Sequence, residues 1–385
     1  MFAYIAILAL APSGDGRGDI TCLRNDDLRP NCIQFSSDGR TLAVAGGTKK
    51  GCPFKIFHLA TGKTVLDGMD FKERCTPAWA VCLSQDGTLM AVGGTQGLFI
   101  VDTKTRKPIW NLTGEGHEGS IDDLFFTPDN KHLISSASDG TVRFWDIQKK
   151  KPVAVFGFNS RQAMSLETDR APRAHKFEGY YGGNMPCALA PDGKTVAIGG
   201  NFHSEIPFVE IATGKVPKTL KIKQDRASSL LFTPDGKWLV VGGSDRNARV
   251  EIWDVEKKIL VNSFGDHEDS ILHVAISPDK KTVITGGSED GFRVWDVATG
   301  KQKYSYFSAG DPRMPRVTLD VFPDSKPFFQ KAARSSGVAF LPDGKTFVVV
   351  PHWTHGKTEV YFHDTATGKA VDFRDVAKRL PAEKK

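Results

Sequence analysis

The sequence predicts an all-β protein, a seven-bladed β-propeller of four-stranded antiparallel blades. Three observations carry that expectation. A strand-turn-strand signature recurs seven times, as FSSDGRTLAV, LSQDGTLMAV, FTPDNKHLIS, LAPDGKTVAI, FTPDGKWLVV, ISPDKKTVIT and FLPDGKTFVV. Its turn aspartates, Asp38, Asp86, Asp129, Asp192, Asp235, Asp279 and Asp343, are spaced by 48, 43, 63, 43, 44 and 64 residues. A recurrence of roughly 40–45 residues is the length of one blade. The strands are also apolar on both sides, as sheets packed between neighbours require.

The chain begins with an apolar run, Phe2 to Ala11 within residues 1–18. That length suits a signal-peptide core and is too short to span a bilayer. Ala9-Leu10-Ala11 has the small-x-small form of a cleavage site, whereas the missing basic residue before the core and Pro12 after the cut count against it. The balance favours export, periplasmic or secreted; the alternative is a cytoplasmic protein whose first residues form a buried strand on the propeller edge. No other segment approaches transmembrane length. Residues 19–377 form the single propeller, and 378–385 a charged tail.

One blade shows the order of elements. In residues 117–156, IDDLFF is the innermost strand and Pro128-Asp129-Asn130 the turn. Proline presets φ, Asp bonds its own backbone, and Asn or Gly tolerates positive φ. HLISSA is the second strand, Asp139-Gly140 a hairpin turn, TVRFWD the third strand and PVAVF the outer one. An ATGK turn between third and outer strands recurs at 60–63, 212–215, 298–301 and 366–369. Prolines at the start of outer strands (Pro108, Pro152) are tolerated because an edge has free donor positions.

The pairs Trp145-Asp146, Trp253-Asp254 and Trp295-Asp296, with His117 and His267 ahead of inner strands, resemble those of the WD-repeat β-propeller family. The resemblance runs from about residue 20 onward. It implies a buried hydrogen-bonded chain of His117, Ser135, Asp139 and Trp145 in the third blade, and of His267, Thr285, Asp290 and Trp295 in the sixth. A His-Ser-Asp set can suggest a hydrolase, but a buried network that satisfies polar groups is the better reading. Phe57-His58, Val101-Asp102, Val209-Glu210 and His363-Asp364 depart from the Trp-Asp pattern. The last blade takes its outer strand from 369–373 or 19–24, and the resemblance favours the N-terminal segment.

Composition narrows function. Charged residues make up 25% and the net charge is +6, with no long Lys/Arg run. This argues for a solvated rim rather than a nucleic-acid groove. The six cysteines contain no CxxC pair, so no zinc site is expected. Cys82 and Cys187 sit in apolar strands as small core residues. In an exported protein Cys52–Cys75 is the expected disulfide, with Cys22–Cys32 second; in a reducing compartment these are thiols. His352 and His355, with His363 nearby and His203 in the corresponding connection of the fourth blade, lack a third ligand at defined spacing. No metal or cofactor is expected.

The two long spacings place insertions at about 157–185 and 308–334, after the third and sixth blades. By resemblance, both rise from the face conventionally called the top, roughly opposite each other across the ring. Arg170, Arg173, Tyr180 and Tyr181 lie in the first insertion, and Arg313, Arg316, Phe328 and Phe329 in the second. Arg and aromatic residues are frequent interface anchors. Trp79, Asp122, Asp123 and His273, at the starts of inner strands, are further candidates for that surface. The expectation is a non-catalytic scaffold, one copy within a larger assembly, binding a protein or peptide through its top face. The alternative is a metal-dependent or hydrolytic enzyme, or a ligand binder, at the channel mouth, using Asp122, Asp123, His273, His352 and His355.

Overall fold

Aspartate turns set the hairpins from which the ring is assembled. The computed structural model describes residues 23–25, 29–36, 38–47, 54–59, 63–68, 77–95, 97–112, 117–159, 162–167, 185–200, 204–244, 248–267, 270–287, 291–306, 335–351, 358–372 and 375–376. In all seven turns the Asp Oδ1 accepts the amide two residues on, at 2.9–3.2 Å, from Arg40, Thr88, Lys131, Lys194, Lys237, Lys281 and Lys345. The residue between takes positive φ, including the non-glycines Asn130 (56°) and Lys280 (60°). In five turns a Ser or Thr two residues earlier donates to the same oxygen at 2.6–2.7 Å. Burial opposes ionisation of Asp38 and Asp86, but these bonds outweigh it, holding Asp86 at about 2 and Asp38 below its ordinary value.

Seven antiparallel sheets form the propeller. The inner strands of blades 1 to 7 are Arg29–Phe35, Ala78–Leu83, Ile121–Phe126, Cys187–Leu189, Ala227–Phe232, Ile271–Ile276 and Ser335–Phe340. Each inner strand leads to the next strand outward in its sheet. The third-to-outer turn is closed by the Asp of the Trp-Asp pair. Asp254, Asp296 and Asp364 each accept the amide three residues on, at 2.8–2.9 Å. That Asp recurs in blades 2 and 7, where Val101 and His363 stand in place of the Trp, because a turn needs capping whichever residue precedes it.

The first and last described segments of the chain meet on the last blade. Leu23–Asn25 pairs with Thr358–Asp364 as the outer strand, Leu23 opposite Val360. Farther along the same strand, Ala370 bridges His363 and the Val371 amide donates to Phe362 O at 2.8 Å. Val376 is buried among Leu42, Val44, Leu59, Leu341 and Phe362. The N-terminal segment closes the blade, as the resemblance implies, while the C-terminal segment locks the seam with blade 1.

Blade 3 departs from the expected count. Its outer strand, Lys151–Asn159, reaches three residues past Phe156, and Gln162–Glu167 folds back along it as a fifth strand. The first part of this insertion therefore runs down the outer rim instead of rising from the top face. A nine-residue outer strand leaves a long free edge, and such an edge accepts another strand. Residues 168–184 and 307–334 lie outside the described residues, as do residues 1–22 and 377–385.

The core consists of blade seams. Between blades 2 and 3, Leu98, Ile100, Trp110 and Leu112 pack on Ile121, Leu124, Leu133 and Trp145. Trp110 meets Trp145 edge-on, with centroids 5.9 Å apart and planes at 85°. Gly93 shows how close the blades come: a Cβ there would lie 2.6 Å from Ile121. Glycine in the second strand makes that approach feasible.

Candidate functional site

The top end of the channel is built from bulges. Six inner strands shift register near their start, between Pro30/Cys32, Ala78/Ala80, Ile121/Asp123, Ala227/Ser229, Ile271/His273 and Ser335/Gly337. The skipped residues are Asn31, Trp79, Asp122, Ser228, Leu272 and Ser336. A bulge releases one residue from the ladder and re-aims its side chain. Blade 4 begins its strand later, at Cys187, and Met185 takes the equivalent place counted from its turn. These residues occupy equivalent positions at the starts of the inner strands, a crown of seven at one end of the ring.

The crown is not uniform. Ser228 is buried, its Oγ 2.7 Å from the carbonyls of Gly243 and Ile271. Met185 is fully buried. Trp79 is 40% exposed, the most open of the described tryptophans. Its Nε1–H donates to Thr95 Oγ1 at 3.0 Å, which pins the ring by its edge. Asp122 is partly buried, and its Oδ2 accepts the Met185 amide at 3.1 Å.

The four mouth candidates thus divide into two pairs. Trp79 and Asp122 are bulged, on adjacent blades. Asp123 and His273 sit one residue later, in the ladder opposite Ser136 and Gly286. Asp123 accepts the Cys187 amide at 3.0 Å, so both aspartates stitch blade 3 to the inner edge of blade 4. Burial raises the Asp122 carboxyl to about 8, against the Met185 hydrogen bond and with added repulsion from Asp123 and Asp139. Burial likewise raises Asp123 to about 6, opposed by the Cys187 bond. Gln34 makes a similar stitch from blade 1, its Oε1 accepting the Leu83 amide of blade 2. Arg170, Arg173, Tyr180, Tyr181, Arg313, Arg316, Phe328 and Phe329 lie outside the described residues.

The polar chain of blade 3 lies away from solvent. Trp145 Nε1–H donates to Ser135 Oγ at 2.8 Å. Ser135 Oγ is 2.7 Å from His117 Nε2, and His117 Nδ1 is 3.0 Å from Asp139 Oδ2. Thr141 adds a hydroxyl to Asp139 Oδ1 at 2.7 Å. Burial lowers the His117 pKa, partly offset by Asp139. Burial opposes ionisation of Asp139, but the His117 bond outweighs it and holds the carboxyl at about 2. A neutral imidazole beside a carboxylate carries its proton on Nδ1, so Nε2 accepts from the Ser135 hydroxyl. Ser135 is fully buried, so this arrangement presents no nucleophile to a substrate. In blade 6, His267 Nε2 lies 2.7 Å from Thr285 Oγ1, which also accepts Trp295 Nε1–H at 2.9 Å. Asp290 lies outside the described residues.

Two buried groups, Glu251 and Arg143, carry no signal in the repeat pattern, and a third, His363, is visible there only as a departure from Trp-Asp. Blade 5 has Trp253 but Val241 where blade 3 has Ser135, and Glu251 supplies the acceptor instead, 2.7 Å from Trp253 Nε1. The clue was an acidic residue two positions before Trp in VEIWD. Arg143, at the same position in blade 3, is 1% exposed, and its three guanidinium nitrogens have no hydrogen-bond partner. His363 fills the Trp position of blade 7 as a buried ring stacked on Phe347, with Nδ1 3.2 Å from Gly368 O. It is a core residue, and burial drops its pKa to about 4. His203, His352 and His355 lie outside the described residues.

Cys82 and Cys187 are buried thiols in inner strands, as expected. Cys32 is also a free thiol, pushed up to about 11 by burial, so the second pairing, Cys22–Cys32, is not formed. Its side chain belongs to the inner strand of blade 1, packed toward blade 2. Cys22, Cys52 and Cys75 lie outside the described residues, and with them the Cys52–Cys75 pairing. Among the described residues no group of three or more His, Cys, Asp or Glu side chains has a metal-holding arrangement. None of the described helices is long and apolar enough to cross a membrane.

Ring, staggered strands and capped Trp residues together define a seven-bladed β-propeller. Residues 106–146, 214–254 and 258–296 match the WD domain, G-beta repeat family. Each match starts near an outer strand and ends at the Trp-Asp pair of the next blade, the stagger that lets a terminal strand close the ring. Blades 3, 5 and 6 thus carry WD repeats within a seven-bladed β-propeller. It is similar to Protein groucho of Drosophila melanogaster, 29% identical over 44% of this chain and 21% of that protein. It is also similar to Periodic tryptophan protein 2 of Arabidopsis thaliana, 27% identical over 78% of this chain and 29% of the relative. A third relative is Guanine nucleotide-binding protein subunit beta-2 of Nicotiana tabacum, 25% identical over 56% and 54% of the two chains. The matches therefore span only about a fifth to a half of the relatives' lengths.

Proposed function

We propose that this propeller is a non-catalytic scaffold that binds a protein or peptide partner on the face carrying the channel mouth. The observation that carries the reading is the contrast within the crown: Ser228 and Met185 are buried, whereas Trp79 is exposed and Asp122, at the equivalent position of the next blade, is partly exposed. A large aromatic side chain held outward by one hydrogen bond suits an interface anchor. WD-repeat propellers generally serve as interaction scaffolds, which supports the same reading. The two insertions, rich in Arg and aromatic residues, are further candidates for partner contact, and the chain acts as one copy within a larger assembly. Export, to the periplasm or beyond, remains our reading of the first residues; N-terminal sequencing of the mature protein tests it.

Affinity capture followed by mass spectrometry tests the function. Partners retained by the full chain should be lost from Trp79→Ala and weakened when 168–184 and 308–334 are shortened. Unchanged partners across all three proteins would move the interface to the rim or the opposite face and overturn the proposal.

A further inference from the structure

Three features of the mouth point to the chemistry of what it receives. Trp79 and Asp122 occupy the same bulged position on neighbouring blades, whose inner strands pack together. The Thr95 bond takes up the indole edge and leaves a ring face free. Such a face is electron-rich and attracts cations, with Trp the strongest of the aromatic side chains. Asp122 has one oxygen engaged by the Met185 amide and is partly open to solvent.

We propose that the mouth between blades 2 and 3 receives one cationic side chain of the partner, arginine or lysine, held between the face of Trp79 and the carboxylate of Asp122. The proposal rests on the reading of this face as the docking face. The aromatic ring desolvates the cation on one side, and the carboxylate pairs with it on the other. Ser228 and Met185, at equivalent positions, are buried, and Leu272 offers only an apolar side chain, so among these positions the cation is directed to blades 2 and 3.

The site explains an otherwise unfavourable arrangement. Asp122 faces Asp123 on its own strand, Asp139 in the adjacent turn and the Cys187 thiol of blade 4. Burial and those two carboxylates raise it to about 8, leaving it largely protonated at neutral pH until a cation arrives. A cation beside it favours the ionised form. Docking should therefore release a proton below about pH 8, and affinity should rise as pH increases from 6 to 8.

The test starts with peptides selected on the full chain from a random phage library. The strongest is synthesised with each basic residue in turn replaced by an isosteric neutral one, citrulline for arginine or norleucine for lysine. Binding is read by fluorescence polarisation. One replacement should weaken binding about tenfold, the scale of a charge-assisted contact. Asp122→Asn should abolish that difference, and Trp79→Phe, which keeps a ring face but loses the Thr95 bond, should fall between wild type and Trp79→Ala. Peptides that bind with no dependence on any basic residue would overturn this proposal while leaving the docking face intact. Failure to select any peptide would overturn both.

Discussion

The buried chain of blade 3 and the mouth of the channel use the same residue types in opposite ways. In the chain, His117, Ser135, Asp139 and Trp145 hand hydrogen bonds to one another, and Asp139 is held at about 2 although burial opposes its charge. At the mouth, Asp122 accepts one amide, feels two neighbouring carboxylates and rises to about 8. One aspartate stabilises the fold in its charged form, and the other weakens it. A satisfied polar group in the core speaks for architecture; a strained one at an opening is where binding energy can be recovered.

This contrast can be broken by substitutions on each side. Trp145→Ala should have the largest effect, destabilising by about 3–5 kcal/mol in urea unfolding, because it opens a cavity against Trp110 and orphans Ser135. Ser135→Ala should cost about 1–3 kcal/mol, since the buried Trp145 N–H loses its acceptor and His117 its hydroxyl. A smaller loss than that of an exposed Ser→Ala change would show that the chain contributes little.

On the other side, Asp122→Asn should stabilise the protein by roughly 1–3 kcal/mol at pH 9 and leave it nearly unchanged at pH 4. The sign follows from the raised pKa. The folded carboxyl keeps its proton above the unfolded pKa near 3.8, so Asp122 contributes a stability that fades as pH rises from about 4 through about 8. Asp139 acts oppositely: its lowered pKa contributes stability that is lost as pH falls from about 4 toward 2. His117, also lowered, must gain a proton on unfolding below its ordinary 6.5, so it too favours the fold at higher pH. Wild-type unfolding followed from pH 2 to 9 should show both trends, and Asp122→Asn should remove the decline between about pH 6 and 8 while leaving the part between about 4 and 6 that Asp123, raised to about 6, contributes.

Two smaller effects sharpen the same boundary. Arg143→Met should be neutral or stabilising by up to about 1 kcal/mol, because the guanidinium is buried without a hydrogen-bond partner. A marked loss would mean that its attraction to Asp139 and Glu118 matters more than its desolvation. Trp79→Ala should cost about 0.5–1.5 kcal/mol, well below Trp145→Ala because the ring is partly exposed, while removing partner capture.

Much of this was legible in the sequence because it repeats. Seven Asp turns gave blade count and order, and the Trp-Asp pairs pointed to the polar chain of blade 3, since spacing and residue type recur together. Glu251 was hidden because it replaces a Ser/Thr on a different strand, so the hydrogen bond survives while the pattern does not. The fifth strand of blade 3 was hidden because its pairing depends on how far the preceding strand extends, which periodicity does not report. Trp79 and Asp122 could be placed near the mouth from sequence, but not separated from Asp123 and His273. That separation depends on a bulge, a property of the register between two strands.

The most direct test sets both regions in one measurement: urea unfolding midpoints at pH 9 for Ser135→Ala and for the double variant Trp79→Ala/Asp122→Asn. The midpoint should fall for Ser135→Ala and stay level or rise for the double variant. A double variant that unfolds earlier than wild type, or a Ser135→Ala protein that unfolds with it, would contradict the division between residues that hold the propeller and residues that hold its partner.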